Sequence, residues 1–195
     1  MAIIQAATVV FLEQGFGAAS MDAIAETAGV SKQTVYSHFG SKEALFGAII
    51  EGKCNEVLHG LSTPSLTAGD GLDPRQMLID MAESFLATVL AAPGMALLRV
   101  VVAESGRFPE LAEVFYRAGP TIAIENLARL LADLDKDGAL SVPDPTSSAG
   151  LFYAMLRGDL YFRHLLGLSQ NATKAEREAV VYQAVAAFLA AHTPP

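Results

Sequence analysis

The sequence predicts an all-α protein: a small N-terminal three-helix unit, residues 1–45, followed by a larger helical domain, residues 46–195. Three observations predict it. Alanine and leucine dominate long tracts, and both favour helix. Apolar residues recur at spacings of three and four between glycine and proline breaks. No stretch alternates well enough to be a strand, and no internal repeat is present. With 195 residues, 52% of them hydrophobic and 17% charged, the chain can bury a sizeable core and lacks a disordered composition.

Taken in order, Ile3 to Gln14 reads as a helix with Ile3, Ala6, Ala7, Val10 and Phe11 on one face. Gly15-Phe16-Gly17 is expected to end it. Gly15-x-Gly17 resembles the start of a dinucleotide fingerprint, but no strand precedes it and the third glycine is missing. Two short helices follow. Ser20 is a good N-cap, and Asp22 places a negative charge in the first turn. Ile24, Ala25 and Ala28 form one face, and Gly29 stops the helix. Ser31 caps the second short helix, whose buried pair is Val35 and Phe39. Gly40 stops that one, and Ser41 caps a longer helix reaching about Leu61. Ser62 to Pro74 reads as a loop. Helices are then expected over Pro74–Ala91, capped by Asp73, over Met95–Glu104, and from Pro109 to about Asp137 with a kink at Pro120. Two more are expected from Pro145 to Leu168, capped by Asp144, and over Lys174–His192, with Ala179, Tyr182, Val185, Ala186 and Leu189 as the apolar stripe of the last.

The stretch from Ser20 to Phe46 carries the functional signal. Helix, glycine turn, helix is the helix-turn-helix arrangement. Its second helix turns Lys32, Gln33, Thr34, Tyr36, Ser37 and His38 outward, a short polar face suited to a major groove. The run Met21-Asp-Ala-Ile-Ala-Glu-Thr-Ala-Gly-Val-Ser-Lys-Gln-Thr-Val-Tyr-Ser-His-Phe-Gly-Ser-Lys-Glu-Ala-Leu-Phe46 resembles the signature of TetR-family transcriptional regulators. The resemblance covers about the first third of the chain. Residues Arg107 to Leu168, with Phe108-Pro-Glu-Leu, Gly138-x-Leu140, Asp144-Pro145 and Leu156-Arg-Gly158, look like the ligand-binding domain of the efflux-pump repressor subgroup.

That resemblance implies a helix-turn-helix DNA-binding domain and a helical ligand-binding and dimerisation domain. It implies a homodimer on a double-stranded DNA operator, a small-molecule effector, a cytoplasmic location, and neither a cofactor nor catalysis. One recognition helix reads too few base pairs for useful specificity, and two-fold symmetry doubles the site. By resemblance, Gln33, Ser37 and Lys32 face base edges. Ser31, Thr34, Tyr36, His38 and Lys42 belong to the same DNA-binding set, the last four gripping the backbone. The last two helices are expected to form the dimer interface, with Ala149, Gly150, Ala154 and Gly158 facing Ala184, Ala187 and Phe188. An apolar effector pocket is expected among Phe85, Arg99, Phe108, Phe115, Tyr116, Phe152, Met155 and Phe162.

Charge runs against this reading. Net charge is −8, and the first sixty residues hold three basic residues, Lys32, Lys42 and Lys53, against six acidic ones. The family commonly carries a basic arm ahead of the first helix. Here Ile3 already reads as helical, so such an arm is expected to be absent or to precede this chain. No apolar run is long enough for a membrane span, and Met1–Gln5 lacks the basic region of a signal peptide. A lone cysteine, Cys54, makes no internal disulfide and fits a reducing compartment.

Competing chemistry is sparse. Glu56-x-x-His59 has the spacing of di-iron bundles, but the second copy is missing. Asn171-Ala-Thr173 is a sequon without meaning in a cytoplasmic chain. Asp133-x-Asp135-x-Asp137-Gly138, continuing to Asp144, follows the calcium-loop template. A plain helix–helix hinge explains the same residues, with Gly138 as a stop and Asp144 as a cap. The alternatives to a regulator are therefore a helical ligand- or calcium-binding protein without DNA binding, and a helical metal enzyme.

Overall fold

The computed structural model describes residues 2–60, 73–169 and 171–194, and of residues 53–60 the backbone alone. The expected loop from Ser62 lies mostly outside the described residues, as do the side chains of Glu56, His59 and Cys54. The described residues are helical with no strand. By packing they divide into two units. The first is Met1–Cys54 with Pro93–Thr121, and the second is Asn55–Ala92 with Ile122–Pro195.

The first unit holds α1 (Ala2–Ala18), α2 (Met21–Ala28), α3 (Lys32–Phe39), the start of α4 (Lys42–Gly60), α6 (Ala92–Glu104) and α7 (Pro109–Tyr116). Its core is aromatic. Phe11, Phe16 and Phe46 are fully buried. Their ring centroids lie 5.5 to 5.8 Å apart, with Phe46 edge-on to the other two. Ile24 of α2, Val35 of α3 and Leu45 of α4 close around them, joined by Leu97, Val101 and Leu111. The end of α1 differs from expectation. Gly15 leaves the helical path, at φ 75° and ψ 165°, but another turn follows it and reaches Ala18. That turn folds Phe16 into the core. A lone glycine pair reads as a stop, but burial of Phe16 supplies the reason to continue.

The second unit holds α5 (Pro74–Val89), α8 (Ile122–Lys136), α9 (Pro145–Leu156), α10 (Asp159–Leu165) and α11 (Lys174–Ala191). α8 packs on α9, and α11 packs on α5 and α9. Phe152 of α9 meets Phe188 of α11 at 5.1 Å, and Phe85 of α5 meets Tyr153 at 4.6 Å. His192 is buried against Phe188, its ring nitrogens within 2.9 Å of the Phe188 carbonyl and the Ser148 hydroxyl. Two expectations change here, and one at the end of the first unit. The helix expected from Pro145 to Leu168 breaks at Arg157–Gly158, giving α9 and α10. The kink at Pro120 is a π-helical turn, Arg117–Thr121. On α11 the buried stripe is Val181, Ala184, Val185 and Phe188, while Tyr182 is exposed. Both stripes have helical spacing, and the neighbours of α11 decide between them.

Acid should weaken this unit through two caps. The backbone N–H of Ser147, then its hydroxyl, hold the Asp144 carboxylate below its usual range. The backbone N–H and hydroxyl of Thr173 do the same for Glu176 in a reciprocal capping box. Lowered folded-state values mean stability that is present above the ordinary carboxylate range and lost as pH falls through the lowered values. Melting temperature should therefore drop with pH across that window. Asp144→Asn keeps a cap but cannot titrate, so its curve should be flatter; an unchanged curve would exclude Asp144 as a source of the acid sensitivity.

Candidate nucleic-acid interface

Local capping builds the α2–α3 pair. Ser20, in extended conformation, accepts the N–H of Ala23 at 3.1 Å and opens α2. Gly29 closes it in the left-handed region, with φ 66°, and turns the chain within two residues. Ser31 then accepts the N–H of Thr34 at 3.1 Å and opens α3. Gly40, with φ 73°, ends α3, and its N–H reaches the Tyr36 carbonyl at 2.8 Å. Ser41 accepts the N–H of Ala44 and opens α4. Val35 alone on α3 is fully buried, so one residue anchors the helix and the opposite face stays in solvent.

That face presents Lys32, Gln33, Tyr36, Ser37 and His38, all exposed. Several of the polar groups are already engaged. The Lys32 ammonium pairs with Asp22 at 2.7 Å and lies 5.7 Å from the Tyr36 ring centre. The Asp22 side-chain hydrogen bond and charge raise the Lys32 pKa. The Ser37 hydroxyl donates to the Thr34 carbonyl at 2.9 Å. The hydroxyls of Ser31 and Thr34 share a hydrogen bond of 2.8 Å, and Thr34 is half-buried.

Lys42 is placed differently from expectation. The resemblance puts it on a phosphate. In the structure its ammonium donates to the carbonyls of Phe16 at 2.6 Å and Ala19 at 2.9 Å, with Gly17 at 3.4 Å. It also lies 4.4 Å from the Phe16 ring centre. The carbonyls at the end of α1 lack intrahelical partners, and the last turn of α1 holds no basic residue. Lys42 supplies the missing donor.

The eight residues expected to line an effector pocket are not gathered in either unit. Phe108 and Phe115 pack against the aromatic core of the first unit, which also holds the exposed Arg99 and Tyr116. Phe152 and Phe85 are buried in the second unit, Phe162 is exposed, and Met155 lines a surface groove. That groove, about 530 Å³, runs between α9–α10 and α11 past Gly158, Leu160, Arg163, Gln183 and Ala187. Of the residues expected at a dimer interface, Ala149, Ala184 and Phe188 are core, while Ala154, Gly158 and Ala187 are exposed. Sequence reasoning missed the exposed Leu151, Leu166 and Leu168 near them. The calcium-loop carboxylates do not form a cage, and no cluster of His, Cys, Asp or Glu able to hold a metal occurs among the described residues. Asp135 instead accepts the Val142 N–H at 2.7 Å, and Asp144 caps α9. Gly138, with φ 72°, makes the hinge.

Comparison with known proteins gives the architecture a family. Residues 3–49 match "Bacterial regulatory proteins, tetR family", and residues 76–194 match the C-terminal domain of AefR-like transcriptional repressors. The chain belongs to the TetR family. It is a DNA-binding transcriptional regulator. It is 34% identical over 143 residues to the HTH-type transcriptional regulator UidR of Escherichia coli K12, covering 73% of this chain and 68% of that one. Among solved structures, it resembles the flavonoid-responsive regulator FrrA, with 40% identity, a TM-score of 0.79, and 99% and 96% of the two chains covered. A TetR-family regulator from Mesorhizobium loti superposes with a TM-score of 0.83 at 30% identity, over 98% and 95% of the chains.

The Asp22–Lys32 pair is exposed, so it adds little to stability. It also holds a carboxylate beside the exposed face of α3, where a negative charge disfavours an approaching phosphate. Asp22→Asn should leave the melting temperature within a degree or two and tighten binding to unrelated duplex DNA severalfold at low salt. Weaker binding to unrelated DNA would mean that the pair is needed intact.

Proposed function

We propose that this TetR-family regulator is a homodimeric cytoplasmic repressor that binds a two-fold operator through α3 and leaves it on taking up an apolar, aromatic small molecule. The observation that carries the DNA-reading part is the exposed polar face of α3, fixed by a single buried residue and capped at both ends. Gln33 and Ser37, with Lys32, are the base-reading residues. Gln33 can bond adenine through both groups of its carboxamide. Tyr36 and His38 hold the sugar-phosphate backbone, while Ser31 and Thr34, tied to each other, keep the start of the helix in shape.

Dimerisation rests on α9, α10 and α11. Leu151, Phe162, Leu166, Leu168 and Tyr182 are large apolar side chains left more than half exposed on these helices or just after them. Leaving that much apolar surface in water is costly, and a second copy covers it. The shallow groove and the small residues beside it give a partner helix close approach.

The effector class is supported by FrrA, whose name describes it as flavonoid-responsive and which aligns over nearly the whole chain. A flat aromatic ligand suits a domain whose buried residues are mostly aliphatic and aromatic. Release follows if the effector favours a dimer in which the two α3 helices no longer match successive major grooves.

Gel shift against the DNA upstream of the protein's own gene tests the core of this reading. A retarded band lost on adding flavonoids is the expected result. Retention of the band with every flavonoid would exclude that effector class and leave DNA binding intact. Gln33→Ala should relax preference at one position of each half-site, at a cost of about 1–3 kcal/mol there, in a selection from randomised duplexes. Uniform weakening would place Gln33 off the bases. Tyr182→Asp, which puts charge on the exposed apolar face, should shift the protein towards monomer in sedimentation; an unchanged mass would move the dimer interface elsewhere.

A further inference from the structure

The Lys42 ammonium is directed to the end of α1 and away from solvent-facing Lys32, Gln33 and Ser37. The ammonium carries three N–H donors and meets three carbonyls, those of Phe16, Gly17 and Ala19. It sits against the ring of Phe16 and 5.9 Å from that of Phe108, both favourable to a cation. The residue is half-buried. Gly17 makes room for this arrangement, since a Cβ there would lie 3.0 Å from the Phe108 ring and 3.1 Å from the Glu104 carboxylate.

The position of Lys42 in the chain gives the site its consequence. α3 ends at Phe39, and only Gly40 and Ser41 separate it from Lys42, the first residue of α4. A tie between Lys42 and the end of α1 therefore fixes the C-terminal end of α3. Val35 anchors the middle of α3 in the core, and Phe39, with Leu45 and Phe46 of α4, packs its C-terminal end against the same core. Apolar packing leaves the direction of that end loosely set, and the Lys42 tie to the end of α1 is the directional contact there.

We propose that Lys42 is a positioning residue for DNA recognition: its ammonium locks the start of α4 to the carbonyls ending α1 and so sets the angle at which α3 meets the groove. The inference rests on the reading of α3 as the recognition helix. It assigns Lys42 to orientation instead of charge neutralisation, and the two roles have opposite signatures. A phosphate contact contributes about 0.9 to the slope of log affinity against log salt for each lysine, and it strengthens all sequences alike. An orienting residue leaves that slope unchanged and acts on specific binding alone.

The test starts from a duplex selected by the wild-type protein from a randomised library. Failure of the wild type to select any duplex would sink the reading of α3 itself, separately from Lys42. Three proteins are then compared on that duplex and on a scrambled duplex of equal composition, across a salt series. Lys42→Met removes the charge. Lys42→Arg keeps the charge and remains a good phosphate ligand, but its planar fork does not fit three carbonyls arranged for an ammonium. We expect both variants to lose about tenfold or more on the selected duplex. Both should bind the scrambled duplex within about twofold of wild type with the wild-type salt slope, since the backbone contacts remain. Lys42→Arg behaving as wild type, while Lys42→Met loses slope and binds both duplexes more weakly, overturns the proposal in favour of a phosphate contact. Circular dichroism accompanies each measurement. Loss of fold in both variants, or a lowered melting temperature with selected-duplex binding retained, overturns it in favour of a purely structural role.

Discussion

Phe16 reaches the core of the N-terminal unit because the backbone leaves its helical path at Gly15. That break has two results. It brings Phe16 against Phe11 and Phe46, so that α1 and α4 share one aromatic cluster. It also turns the carbonyls of Phe16, Gly17 and Ala19 towards the start of α4, where Lys42 takes them up. α2 and α3 are short, eight residues each, and too short to be stable alone. They are held because α1 and α4 are already joined on either side of them in sequence. The exposed polar face of α3 is thus a by-product of packing done by residues that do not lie on it.

The division of the chain by packing cuts across its order. Residues 93–121 belong with the helix-turn-helix, although the family match assigns residues 76–194 to the C-terminal domain. α6 and α7 bring Leu97, Val101 and Leu111 into the core that Ile24 and Val35 also enter. Phe108 contacts Phe16 edge-on at 5.6 Å.

Net charge of −8 looks unfavourable for a nucleic-acid binder, and the placement of charge qualifies it. What matters for affinity is the local field at α3, and there Asp22 is neutralised by Lys32. With Lys42 directed inward, Lys32 is the basic residue left on the exposed face of α3.

The sequence by itself determined the helix boundaries wherever caps are local. Ser20, Ser31, Ser41, Asp73, Asp144 and Thr173 each cap a helix through bonds spanning two or three residues. It also determined the family, because the motif from Met21 to Phe46 is contiguous. Tertiary structure decided what depends on a distant neighbour. Lys42 reads as a surface lysine until Phe16 and Ala19, more than twenty residues away, come to meet it. The stripe of α11 shifts because α5 and α9 choose its face. By spacing the aspartates of the hinge fit a calcium loop as well as a plain hinge, and in the fold the backbone N–H groups of Val142 and Ser147 occupy two of them. Local bonds are written in residue spacing, while the partner of an exposed-looking charge or a second apolar stripe is set only by the packing of the whole chain.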